Sequence, residues 1–274
     1  RFIGSQDTRA IMARVDAAFA RILDAISARP DADDIAVIVA SDHGQISSYG
    51  EIDLARLLTE AGHPAAMAPA RDLSGMALSV TGGDAGEIRV LDGDMERRDV
   101  IARWLMEQEF CGMVFTPSDD PVEGAVPGTF STSLVGLDHA RQPELFYVLR
   151  SDLESDAAGA PGRTLITGSV PVGGGMHGGL NRHELNTLLG VGNLRGLGAR
   201  RDEATVGVID IAPTILALLG VEAPASMQGA SLLGEEVGPR PSQTFRTGRD
   251  GFAQSVAIRR RAGAPFVVHG GREG

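Results

Sequence analysis

The sequence predicts an α/β fold with a largely parallel central sheet flanked by helices. Three observations carry this expectation. From Asp7 or Thr8 onward, Ile11, Met12, Val15, Phe19, Ile22, Leu23 and Ile26 recur at three- and four-residue steps, which gives a helix one apolar face. After Pro30, Ile35–Ala40 is a continuous apolar run rich in β-branched side chains, as in a strand buried on both faces of a covered parallel sheet. A long helix feeding such a strand opens an alternating helix–strand pattern.

The later segments continue that pattern. Residues 52–61 read as a short amphipathic helix, and 76–80 and 87–91 as strands. Residues 97–109 predict a helix and 113–116 a strand. Pro117, Pro121 and Pro127 mark 117–128 as loop. Glu144–Leu149 predicts a strand, and the small, polar stretch 151–162 a flexible connection. Glycines crowd around His177 from Gly173 to Gly179. Val208–Leu219 predicts a helix ended at Gly220, and 255–258 with 265–269 a hairpin. No repeat or linker divides the chain, so one α/β domain over 1–274 is expected, with 45–170 as a variable middle region or cap.

Charge and composition exclude several function classes. Of 274 residues, 36 are acidic and 25 basic, for a formal charge of −11. All 25 basic residues are arginine, which excludes a lysine nucleophile, a Schiff base and a Walker-type lysine. No basic run exceeds Arg259-Arg260-Arg261, so no nucleic-acid-binding groove is expected. The single cysteine, Cys111, excludes an internal disulfide and a multi-cysteine zinc site. The longest apolar stretch, Val206–Val221, carries Asp210 and Pro213 and is too short for a membrane span. The chain opens at Arg1 rather than methionine, and we expect a fragment whose upstream part is missing, so that the domain is incomplete at its N-terminus.

The residues suited to chemistry are few. Asp42 and His43 stand at the carboxyl end of the first expected strand, where ligands collect in open α/β sheets. A carboxylate and an imidazole are a normal ligand pair for zinc or manganese. Equally, the aspartate fits a turn cap with the histidine hydrogen-bonded nearby. His177 lies among glycines whose entropic cost makes sense if the backbone passes close to a metal or phosphate, or it stands incidentally in a surface loop. The other histidines rank lower. His63 precedes Pro64 in an expected exposed loop, and Asp138-His139 lacks the following glycine. His183 fits a turn or short helix, and His269 a solvated end. Asp210 is expected to cap the helix that contains Pro213.

Three of these segments together carry a resemblance. Val37–Gly44 resembles the Ser-Asp-His-Gly strand end of the alkaline phosphatase superfamily, in its type I phosphodiesterase and nucleotide pyrophosphatase branch. Gly175-Met176-His177-Gly178-Gly179 is similar to that family's later metal loop, and Asp210-Ile211-Ala212-Pro213-Thr214 to its Asp-x-x-Pro-Thr helix. The order of segments agrees from Asp7 to about Leu233, which makes an alkaline phosphatase-like catalytic domain the expected fold. The resemblance implies two divalent metal ions, usually zinc, with manganese or iron suited to the same donors. Asp42 and His43 would hold one ion and His177 the other. It implies attack of a threonine or serine oxygen on the phosphorus of a small phosphate ester, then release of the phosphoryl-enzyme by water. It also favours a periplasmic or extracellular setting.

The family's nucleophile and three further ligands precede its first helix, where only Arg1–Gln6 stand here. No catalytic nucleophile is therefore assigned in this chain, and the piece by itself is expected to be inactive. The leading expectation is a phosphodiesterase or phosphatase of the two-metal type. A phosphonate- or sulfate-ester hydrolase lies close to it, and a phosphoglycerate mutase further off. The alternative is a non-catalytic, truncated or degenerate domain that binds a partner or one ion.

Overall fold

The computed structural model describes residues 3–168, 170–193, 201, 203–233 and 241–274. Helix α1 (Gln6–Ser27) leads to β1 (Val37–Ala40) and β2 (Ile46–Ile52). Helix α2 (Leu54–Glu60) precedes β3 (Ala65–Ala68), β4 (Leu78–Thr81) and β5 (Ala85–Val90). After α3 (Met95–Glu107) come β6 (Cys111–Thr116), β7 (Phe130–Ser131), β8 (Leu145–Leu149), β9 (Ser151–Ser155), β10 (Pro161–Thr167) and β11 (Gly175–Met176). Helix α4 (Arg182–Leu185), β12 (Leu189–Gly192) and α5 (Ile211–Leu218) follow. The chain ends in β13 (Gln243–Arg249), β14 (Phe252–Arg261) and β15 (Ala264–Arg272). The protein is thus mixed α/β. No described helix is long and apolar enough to cross a membrane.

The core lies on a six-stranded sheet of order β3-β4-β5-β8-β6-β7. Alternation along its strands separates two apolar clusters. Leu145, Tyr147 and Leu149 of β8 and Val114 of β6 face Leu54 and Leu58 of α2 and Ile101 and Leu105 of α3. Val148 of β8 and Met113 and Phe115 of β6 face the other way, toward Val256 and Ile258 of β14. Helices therefore cover one face and the carboxyl-terminal three-stranded sheet the other. The buried Gln254 fastens that sheet: its Oε1 accepts from the Val114 amide at 3.0 Å, and its Nε2 donates to the Gly128 carbonyl at 2.8 Å.

Several expectations change. Helix α1 forms, with Ser5 accepting the Thr8 amide hydrogen at its start. Its apolar stripe, however, has no buried residue, and Ile11, Met12 and Val15 are exposed. Strand β1 is not buried on both faces of a parallel sheet. It is half-exposed and pairs antiparallel with β12 alone among the described strands. The expected predominance of parallel pairing fails likewise: among the described strands only β2–β10, β3–β4 and β6–β7 run parallel. The polar stretch after Leu149 is ordered as β9 and the start of β10, not a flexible connection. The expected hairpin exists as β14 and β15, joined by the unforeseen β13.

Candidate functional site

The site grows from the end of β1. Ser41 donates its amide to the Leu188 carbonyl at 2.9 Å, and Gly44 donates to the Glu184 carbonyl at 2.7 Å. The α4–β12 segment thus runs alongside Ser41–Gly44. A Cβ at position 44 would stand 2.4 Å from the His183 carbonyl oxygen. Glycine is required there by close approach.

His43 is held in one tautomer. Its Nδ1 lies 2.8 Å from the Gly44 carbonyl oxygen, which can only accept, so Nδ1 carries the proton. Nε2 is then the ring nitrogen left for another partner, as in metal-ligating histidines. Asp42 reaches the same edge, with Oδ2 3.5 Å from His43 Nε2 and Oδ1 accepting the His43 amide at 3.1 Å. The Asp42 side chain is 84 % exposed.

Sheet register brings His177 to this point. Met176 of β11 pairs with Ile46 of β2 and Gly175 with Ser47, so the residue after Met176 falls opposite the residues just before Ile46. His177 accordingly stacks on His43, with ring centroids 3.5 Å apart and planes 16° from parallel. His43 therefore lies beside both Asp42 and His177. Among the described residues, no group of three or more histidine, cysteine or acidic side chains is arranged to hold a metal ion.

Beneath the His177 loop lies a pair that sequence reading missed. Asp84 is 1 % exposed and Glu184 3 %. Glu184 Oε1 accepts the Asn181 amide at 2.7 Å and Oε2 the Gly179 amide at 3.0 Å. The Asp84 carboxyl lies against Glu184, and both its oxygens are buried without a well-formed hydrogen bond, although the amides of Gly179 and of Asp84 itself act on it. Burial raises the pKa of both groups, and the neighbouring Asp84 adds to the rise at Glu184, which is pushed up to about 8. Tyr147, whose hydroxyl donates to the Thr81 carbonyl, is also pushed up, by burial first and by the Asp84 charge second. Glu184 was legible in principle: Asn181 followed by Glu184 is a capping box, and both of its bonds form. Asp84, amid Gly82, Gly83 and Gly86, gives no such signal.

The side chains of the remaining candidates take other places. His139 and His269 are exposed, and His183 lies in α4. His63, expected in an exposed loop, is half-buried, and its Nδ1 is buried without a partner. Asp210 does not cap α5 with its side chain. It is fully buried, accepts the Gly207 and Ala230 amides at 3.0 and 2.8 Å, and pairs with Arg261 at 2.6 Å.

Residues 1–111 match the family model of type I phosphodiesterase / nucleotide pyrophosphatase. This agrees with the alkaline phosphatase superfamily branch that the motifs resemble. Asp42 and His43 fall inside the phosphodiesterase-matched stretch, and His177, Glu184 and Asp210 beyond it. No curated protein and no solved structure matches the chain.

Proposed function

We propose that the chain carries part of the two-metal site of a phosphohydrolase with an alkaline phosphatase-like catalytic domain. Its substrate would be a phosphodiester or phosphomonoester. Asp42 and His43 would hold one divalent ion and His177 the other, with zinc preferred and manganese or iron acceptable to the same donors. The observation that carries this reading is the His43–His177 stack at 3.5 Å, assembled from distant segments.

An imidazole lone pair lies in the ring plane, so two stacked rings do not clamp one ion between their faces. Each ring instead offers its edge to a separate ion. The donor chemistry suits a cation: the Gly44 carbonyl takes the Nδ1 side of His43 and leaves Nε2 as the edge atom, and exposed Asp42 stands beside it as an anionic oxygen donor. Such ions, when bound, favour the ionised attacking oxygen and take charge from the leaving one.

The chain's own residues orient and fix. His43 presents Nε2 because its Nδ1 proton is held, Asp42 supplies charge on the solvent side, and the glycines around His177 let the loop lie close to the substrate side. No attacking hydroxyl is assigned among the residues of this chain.

The test is metal binding to the 274-residue chain, measured by titration with zinc and with manganese, followed by aryl phosphodiester hydrolysis in a form extended upstream. We expect binding to weaken at least tenfold in His43→Ala, His177→Ala and Asp42→Asn, and turnover to be lost with a chelator. Binding that is absent, or indifferent to all three changes, would overturn the proposal.

A further inference from the structure

We propose that the buried Asp84–Glu184 pair is the brace that fixes the Gly178–Gly179 backbone and thereby sets where the His177 imidazole stands. This rests on the reading of His177 as a site residue, but its test needs no metal.

Geometry supports the assignment. Asp84 stands where two sheets join: Gly83 exchanges backbone hydrogen bonds with Thr167 of β10, and the Asp84 carbonyl accepts the Leu149 amide of β8 at 2.7 Å. It is thus anchored to the rigid core. A Cβ at position 179 would lie 2.8 Å from Glu184 Oε1 and 3.3 Å from Asp84 Oδ2, and one at 178 3.3 Å from Asp84 Oδ1. The two carboxyls therefore fill the space beside the two residues that follow His177. Glu184 also bonds the Gly179 amide, and its own carbonyl takes the Gly44 amide beside His43. One residue is tied to both histidine-bearing segments.

Two carboxyls in contact and out of water are not both ionised, so one of the two keeps its proton. His177 and Tyr147 are the other titratable groups whose charges act on Asp84 or feel it. The two members are not equivalent. Both Glu184 oxygens already accept backbone amides, so Glu184→Gln would turn an NH2 group toward an N–H. Neither Asp84 oxygen makes a well-formed bond to an amide, so Asp84→Asn can offer its NH2 to Glu184 in place of the retained proton.

The experiment follows the His177 ring Cε1–H signal by NMR and amide exchange over residues 177–181, in the metal-free chain. We expect Asp84→Asn to keep the ring signal and the exchange rates. Asp84→Ala and Glu184→Gln should shift or broaden that signal and speed exchange at least tenfold, with cooperative unfolding retained. The idea fails if Asp84→Ala leaves the signal in place, or if Asp84→Asn is as disruptive as Asp84→Ala. Should Asp84→Ala not fold, the contrast between Asp84→Asn and Glu184→Gln decides alone: equal behaviour overturns the brace. Zinc titration of the unsubstituted chain separates the two claims, since failure to bind zinc counts against the metal reading and not against the brace.

Discussion

The carbonyl oxygen of Glu184 accepts the amide hydrogen of Gly44 at 2.7 Å, and a methyl group at position 44 would collide with the carbonyl just before it. Helix α4 is therefore seated directly on the turn that carries Asp42 and His43. Gly44→Ala should cost about 1–3 kcal/mol, the usual range for overpacking a close contact. Urea denaturation measures the loss, and a change below about 0.5 kcal/mol would mean that the two segments can part freely.

Acidity provides a second prediction. The Glu184 carboxyl is raised from 4.5 to about 8, by burial first and by Asp84 second. A carboxyl with a folded value above its unfolded one holds its proton more tightly when folded. Its contribution is full below about pH 4.5 and is lost as pH rises through about 8. Unfolding free energy should fall by several kcal/mol across that window, and Asp84→Asn should flatten the slope. Stability that rises steadily from pH 4.5 to 8 in the parent chain would contradict the coupling.

Apolar surface predicts a contrast between helices. Leu58 of α2 is fully buried in the core, so Leu58→Ala should cost about 2–5 kcal/mol. Ile11 of α1 is 57 % exposed, so Ile11→Ser should stay within about 0.5 kcal/mol. Thermal or urea unfolding of the two variants side by side checks this, and a large cost at Ile11 would show that the stripe on α1 is covered in solution.

The Asp210–Arg261 ion pair ties α5 to β14. Arg261→Ala would leave a carboxylate buried with two amide donors but no cation, at a cost of about 3–5 kcal/mol. Replacing both members by apolar residues should cost less than the single change. A double-mutant cycle in denaturant measures the difference, and additive costs would rule out direct coupling.

Much of the site was legible, and the reasons can be named. The Asp42-His43-Gly44 strand end and the His177 glycine loop stand out locally, because unusual residue types crowd into few positions. The surroundings of those residues did not stand out. Ile35–Ala40 promises a strand buried on both faces, yet burial depends on which other segments arrive, and β1 has only β12 beside it among the described strands. Strand β9 was hidden because it lies at a sheet edge, where Ser151–Ser155 need no apolar period and the Arg163–Asp152 ion pair helps to fasten it. Asp84 was hidden for a different reason. Its partner is Glu184, and no local pattern announces a contact between such distant positions.

Strand β2 lies between β11 and β10, so both of its neighbours come from residues 161–176. A growing chain makes β2 before either neighbour and can pair it only once residues 161–176 have followed. Loop closure over that span is slow, and until then the strand has two bare edges. The helices and the hairpin-like β4–β5 ladder can order sooner, since their contacts are local. The meeting of His43 with His177 is thus a late event in the life of the molecule, and a nascent chain halted before His177 carries the first half of the motif without the place it belongs to.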